Sequence, residues 1–434
     1  MSVHRVTSMV GAMVMVVLAA TPSAGDAQAR VAGKPEKVKP GISVLLDERI
    51  GLIRGRRIGL ITNQTGVDEH RRSDVELLAR DPRAQKARVS LVVLFSPEHG
   101  AQGTEDRPNV ANATDPTTGL VVHSLFGSQT MPPPDSLLRG VETLVVDLQD
   151  IGTRTWTFVG VMLYAVRAAA RNHIPVLVLD RPNPLGGARV EGPLLDSALS
   201  NANDPAPGAA GKAYALYPVP LRHGMTMGEM ALLFNSTLAI GADLTVVPVK
   251  GWKRNMWFDQ TGLPWVRPSP NMPSLTSALL YSGLVAFEGT NVSVGRGTSD
   301  PFQHVGAPWL RAHEVVELLR DRLMPGVKFE EEMFTPQSPT DGKYAGRSIP
   351  GVRVVVTDRD RVSSARVGAA LLWAIAKTSP DSLVVRYNFF DERLGSARVR
   401  AALLRGEDPD AVMDQELPST VAFRDKARPF LLYR

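Results

Sequence analysis

Four short apolar runs, each passing directly into a polar turn, constrain this chain more than any other feature. Arg57-Ile58-Gly59-Leu60-Ile61 runs into Thr62-Asn63-Gln64-Thr65-Gly66, and Leu91-Val92-Val93-Leu94-Phe95 into Ser96-Pro97-Glu98-His99-Gly100. Thr143 to Leu148 runs into Gln149-Asp150-Ile151-Gly152-Thr153-Arg154, and Pro175 to Leu179 into Asp180-Arg181-Pro182-Asn183-Pro184. Short runs rich in β-branched residues read as strands buried on both faces, the pattern of a parallel sheet covered by helices. Helical spacing falls between them: Ser73 to Arg80 begins with an N-cap serine, and Thr157 to Asn172 repeats apolar residues at Phe158, Val161, Met162, Ala165, Val166 and Ala169. Leu120 to Leu125 and Asp243 to Val249 supply further strands. This alternation predicts right-handed crossovers and a Rossmann-like α/β fold.

The nucleotide signatures of such folds are missing. No G-x-G-x-x-G follows a strand and no G-x-x-x-x-G-K-[ST] occurs, so no nucleotide cofactor is expected, and no other cofactor is implied. The formal charge of +5 is spread along 434 residues without a basic stripe interleaved with aromatics, which argues against a nucleic-acid partner.

The ends and the middle divide the chain. Residues 1–29 read as a signal peptide: Arg5 precedes an apolar stretch from Met9 to Ala20, too short for the ~20 residues of a membrane span, and Ala27-Gln28-Ala29 offers a cleavage site. A periplasmic or secreted location follows, without stable membrane insertion. The absence of cysteine then rules out disulfides and thiolate chemistry. Residues 30–40 read as a linker and 41–264 as the Rossmann-like catalytic domain. The Pro-rich stretch from Gly262 to Pro273 separates it from a smaller α+β auxiliary domain, 265–434, whose last segment, Pro429 to Tyr433, reads as a strand. Asn201 to Gly211 reads as a mobile loop. Oligomeric state is left open.

Carboxyl ends of parallel strands border the ligand crevice of such folds, so Glu98 is the first choice for a catalytic group. Glu229 is set aside, because Thr226 and Glu229 form a capping box before an apolar helix. No G-x-S-x-G or H-E-x-x-H occurs, and the histidines lack ligand spacing, so no metal is expected. Carboxylates and arginines in strand-end loops remain, a set suited to glycoside chemistry or, equally, to an ion-pair network. Among the tryptophans, Trp156 is favoured to stack on a sugar because it follows Arg154 at a strand end.

Taken in order, these motifs, with His223-Gly224-Met225-Thr226, Phe287-Glu288-Gly289-Thr290-Asn291 and Gly295-Arg296-Gly297-Thr298, resemble the NamZ-type exo-β-N-acetylmuramidases from about residue 42 to the C-terminus. The resemblance implies release of β-1,4-linked N-acetylmuramic acid from non-reducing ends of peptidoglycan fragments, in a cleft between the two domains. It puts the catalytic glutamate on Glu98. His99 is expected to orient Glu98 or the leaving group, and Glu288 either to be a second carboxylate or to hold Arg296. Arg154, Arg181 and Arg296 are candidates for the sugar's lactyl carboxylate, since a guanidinium matches it bidentately. Asn63, Gln64, Asp150, Asp180, Asn183, His223 and Asn291 complete the expected substrate-binding set. The competing readings are a non-catalytic wall-sugar binding protein on the same fold and, with no recognisable nucleophile, an esterase or amidase.

Overall fold

A computed structural model describes Met1 and residues 37–107, 109–126, 131–200 and 214–434. The expected signal peptide, most of the linker and the Asn201 to Gly211 loop lie outside the described residues. Residues 37–434 make one unit.

The strands are β1 Arg57–Thr62, β2 Ser90–Ser96, β3 Ala113–Thr114, β4 Val121–Ser124, β5 Thr143–Asp147 and β6 Val176–Leu179. They are followed by β7 Glu191–Leu194, β8 Pro220–Arg222, β9 Leu244–Val247, β10 His304–Gly306, β11 Val327–Phe334 and β12 Ile349–Val356. The main sheet has the order β3-β4-β2-β1-β5-β6-β9, parallel except for the β3–β4 pair. The chain starts at central β1, builds outward through β2 and β4, then returns to β5 on the other side. That reversal opens a crevice at the carboxyl ends of β1, β2 and β5.

Both faces of the sheet are covered, which is why β5 and β6 are buried along their whole length. On one face, helix Gly41–Glu48 and helix Asp74–Arg80 pack over Ile58, Leu60 and Val145. On the other, helix Thr157–Arg171 is buried from Phe158 to Ala169. A helix apolar all round must be enclosed. Here the enclosure comes from helix Met227–Thr237 and from the C-terminal half, so one continuous apolar cluster runs from Ile61 in β1 to Ala427. The capping box of Thr226 and Glu229 is present.

The C-terminal half is α+β: β10-β12-β11 form a small antiparallel sheet beside helix Leu275–Leu284 and helix Ser364–Thr378. Those two helices meet at Gly283 and Gly368, where a Cβ on either glycine would collide with backbone of the other helix. The expected terminal strand is corrected. Arg428–Phe430 is a single 3₁₀ turn, and the chain beyond it is pinned by side chains: the Tyr433 hydroxyl lies 2.5 Å from Asp180 Oδ2 and accepts from Val249 N–H at 2.9 Å.

Candidate active site

The turn after β2 winds tightly. Gly100 N–H bonds to the Pro97 carbonyl at 3.2 Å and Glu105 N–H to that of His99 at 3.2 Å, with His99 and Gly100 both at φ 73°. A histidine in the left-handed region is strained, and such strain clusters at functional sites. The ring is fixed by Nδ1, 2.6 Å from the Glu105 carbonyl. A carbonyl only accepts, so Nδ1 carries a proton and donates it there.

Glu98 is held from the far side of β1, by the segment that follows β5. Thr157, the first residue of the helix after β5, donates its hydroxyl to Glu98 Oε2 at 2.6 Å, and Oε1 is left without a protein partner among the described residues. The Glu98 carboxylate thereby sits at a helix N-terminus, where negative charge is favoured. Beside it, Trp156 packs edge-on against Phe158 and Tyr281, with ring centroids 5.3 and 5.7 Å away.

Glu98, His99, Trp156 and Thr157 form one wall of a cleft of about 360 Å³ that opens to solvent. The opposite wall comes from the C-terminal half. Glu288, in the 3₁₀ turn Val285–Gly289, accepts from Arg296 Nε at 2.8 Å and Nη2 at 2.5 Å, and Arg393 Nε lies 3.4 Å from its other oxygen. Burial would raise the Glu288 carboxyl, yet the Arg296 and Arg393 guanidiniums beside it outweigh burial and hold it below the usual range. Arg296 also lies 3.5 Å from Asp106, whose carboxylate takes hydrogen bonds from Asn271 at 2.5 Å and Thr340 at 2.7 Å. The Arg393 guanidinium stacks 3.3 Å from the Phe389 ring centre and 4.5 Å from that of Tyr214.

Of the residues singled out from sequence, Glu98, His99, Glu288 and Arg296 line this cleft, with Trp156; the rest do not. The two expected lactyl-binding arginines other than Arg296 are corrected. Arg181 is buried between Asp147, with which it forms two hydrogen bonds, and Asp74 at 3.9 Å. Arg154 donates to the carbonyls of Glu392 at 3.0 Å and Arg393 at 2.8 Å, so it buttresses the helix that carries Arg393. Buried charges of this kind need partners, and these have spent theirs on the fold.

The remaining polar residues are likewise engaged in backbone support. Asn63 accepts from Thr65, Gln64 donates to the Arg267 carbonyl at 2.8 Å, and Asn183 links Leu185 to Met225. Asp150 accepts from Gly152 N–H at 2.7 Å and lies 3.2 Å from His223, Asp180 accepts from Thr226 and Gly228, and Asn291 ties Ser382 to Val384. Thr157, Asn271, Tyr281 and Arg393 are not among the site residues expected from sequence, and neither is Asp106, although its loop is long enough to be functional. Only Asp106 had a signal, in the long polar loop Glu105-Asp106-Arg107. Among the described residues no group of three metal-ligating side chains comes together, and no helix is long and apolar enough to cross a membrane.

The arrangement offers one carboxyl oxygen facing a cleft whose far wall carries two guanidiniums. Comparison with known proteins covers nearly the whole of the described chain. A family description, exo-β-N-acetylmuramidase NamZ, N-terminal, fits residues 58–276, and its C-terminal counterpart fits 279–433. The peptidoglycan β-N-acetylmuramidase NamZ of Bacillus subtilis strain 168 is 38% identical over 425 residues, covering 98% of each chain. Crystal structures of two DUF1343 family proteins from Bacteroides fragilis NCTC 9343 superpose with TM-scores of 0.81 and 0.69 at 32% and 27% identity, each spanning 92% of this chain and 99% of its own.

Proposed function

The chain belongs to the NamZ family of exo-β-N-acetylmuramidases and is a glycosidase; on that premise we propose that it releases N-acetylmuramic acid from non-reducing ends of peptidoglycan fragments, with Glu98 as acid/base. The observation that carries this reading is the Glu98 carboxyl itself, anchored through Oε2 by Thr157 and free at Oε1 in the cleft. A carboxylic acid so placed protonates the leaving glycosidic oxygen as the bond breaks and an oxocarbenium-like centre develops. His99, fixed through Nδ1 at the same wall, suits a hydrogen bond with a sugar hydroxyl.

The lactyl carboxylate of muramic acid calls for a cation across the cleft. Arg296 is largely committed, with two hydrogen bonds to Glu288 and Asp106 nearby, whereas Arg393 makes one looser pair at 3.4 Å. Arg393 is therefore the better lactyl partner, with Arg296 and Glu288 setting its position. Export to the periplasm or medium, directed by residues 1–29, brings the enzyme to this substrate.

The test is release of free N-acetylmuramic acid from the disaccharide N-acetylmuramyl-β-1,4-N-acetylglucosamine. Parent protein cleaves it, and Glu98→Gln, which keeps shape but donates no carboxylic proton, loses about a hundredfold or more in kcat. Undiminished cleavage by the variant would remove Glu98 from the reaction.

A further inference from the structure

A second cleft, of about 530 Å³, lies among the turns after β6, β8 and β9, against helix Leu417–Ala427, and shares no residue with the first. Its floor is apolar, built from Val190, Met225, Phe423, Ala427 and Leu431. Its rim is cationic. Lys253, Arg424 and Arg434 are exposed there, and none has a side-chain partner among the described residues. Two other arginines are already matched: Arg254 by Glu229 at 2.7 Å and by the Gly187 and Gly224 carbonyls, Arg428 by Asp425 at 2.5 Å. No acidic side chain lines the cleft.

The rim is also preset. Arg254 N–H bonds to the Arg434 carbonyl at 3.1 Å, Leu432 N–H to Glu229 Oε1 at 2.8 Å, and the Tyr433 hydroxyl to buried Asp180. The last residues are thus strapped to the main sheet's carboxyl edge, and little ordering cost remains for a ligand to meet.

Three cations without side-chain partners among the described residues, above an apolar floor, match a ligand with several carboxylates on short apolar residues. A phosphate polymer would satisfy the cations and leave Phe423, Met225 and Leu431 uncovered. We propose that this cleft docks an acidic peptide, of the kind that peptidoglycan carries on its muramic acid, as a subsite separate from the hydrolytic cleft; this rests on the function proposed above.

The experiment measures fluorescence anisotropy of an N-terminally labelled Ala-γ-D-Glu-(meso-diaminopimelyl)-D-Ala peptide, which carries three carboxylates against one amine, with the parent, with Lys253→Glu/Arg424→Glu, and with Lys253→Met/Arg424→Met in case charge reversal unfolds the chain; the unlabelled competitor is N-acetylated. A glycerol-phosphate oligomer serves as competitor, and hydrolysis of the peptide-free disaccharide is followed in parallel. The expected result is at least tenfold weaker peptide binding in either double variant, weakening of parental binding with salt, and parental rates on the disaccharide. Absence of peptide binding to the parent, or binding indifferent to both substitutions, overturns the proposal. Stronger competition by glycerol phosphate than by unlabelled peptide reassigns the cleft to a phosphate polymer and overturns it too. Charge-dependent peptide binding without disaccharide hydrolysis supports the docking site and counts against the glycosidic reading alone.

Discussion

The Thr157 hydroxyl lies 2.6 Å from Glu98 Oε2, joining the turn after β2 to the first residue of the helix after β5. The two residues are far apart in sequence and neighbours only because β2 and β5 flank β1. Thr157→Val removes this donor, and kcat for disaccharide cleavage should fall roughly tenfold with KM held, the scale of one hydrogen bond to a charged group. Thr157→Ser should restore most of the rate. Loss of activity in both, alongside a lowered melting temperature, would mark Thr157 as merely structural.

Arg393 and Arg296 share Glu288 but are unequally bound to it. Arg393→Met should raise KM for the muramyl disaccharide by about 10- to 100-fold, as a charge-assisted hydrogen bond of ~1.5–3 kcal/mol is lost. Inhibition by an analogue without the lactyl group should hardly change. Equal weakening of both ligands would show that Arg393 does not read the carboxylate.

Asp180 sets a pH dependence that can be read from stability alone. Burial pushes its carboxyl up to about 7 against an ordinary 3.8, despite hydrogen bonds from Tyr433, Gly228 and Thr226. Between these values the folded protein holds the proton and the unfolded chain does not. This contribution therefore declines as pH rises from about 4 to about 7, by at most ~1.4 kcal/mol per pH unit. Denaturant titrations of parent and Asp180→Asn across that range should converge or diverge with this slope; parallel curves would refute the assignment.

The proposed export carries a prediction at the N-terminus. N-terminal sequencing of protein recovered outside the cytoplasm should begin at Arg30, and an intact Met1 on that material would exclude cleavage after Ala29.

The strands were legible because burial on both faces demands unbroken apolar runs, as at Leu91 to Phe95 and Thr143 to Leu148. Glu98 was legible for the same reason: a carboxylate directly after a buried strand stands at the sheet's carboxyl edge. The capping box at Thr226 and Glu229 is a local motif, and it forms as local chemistry requires. Arg154 and Arg181 carry the same signal as Glu98, a charge at a strand end, yet they turn inward to carbonyls and carboxylates. Sequence records that a charged residue is there but not which way it faces.

By itself, then, the sequence determined the main parallel strands, the helices between them and the turn that presents Glu98, since each depends on residues near one another in the chain. Only the tertiary structure decided which polar groups meet. Glu288 and Arg393 form a pair because helix Tyr387–Leu394 packs on the 3₁₀ turn Val285–Gly289, and Arg434 reaches the second cleft from a chain end that Tyr433 ties to Asp180. Such contacts depend on how whole elements pack, and no local run of residues encodes them.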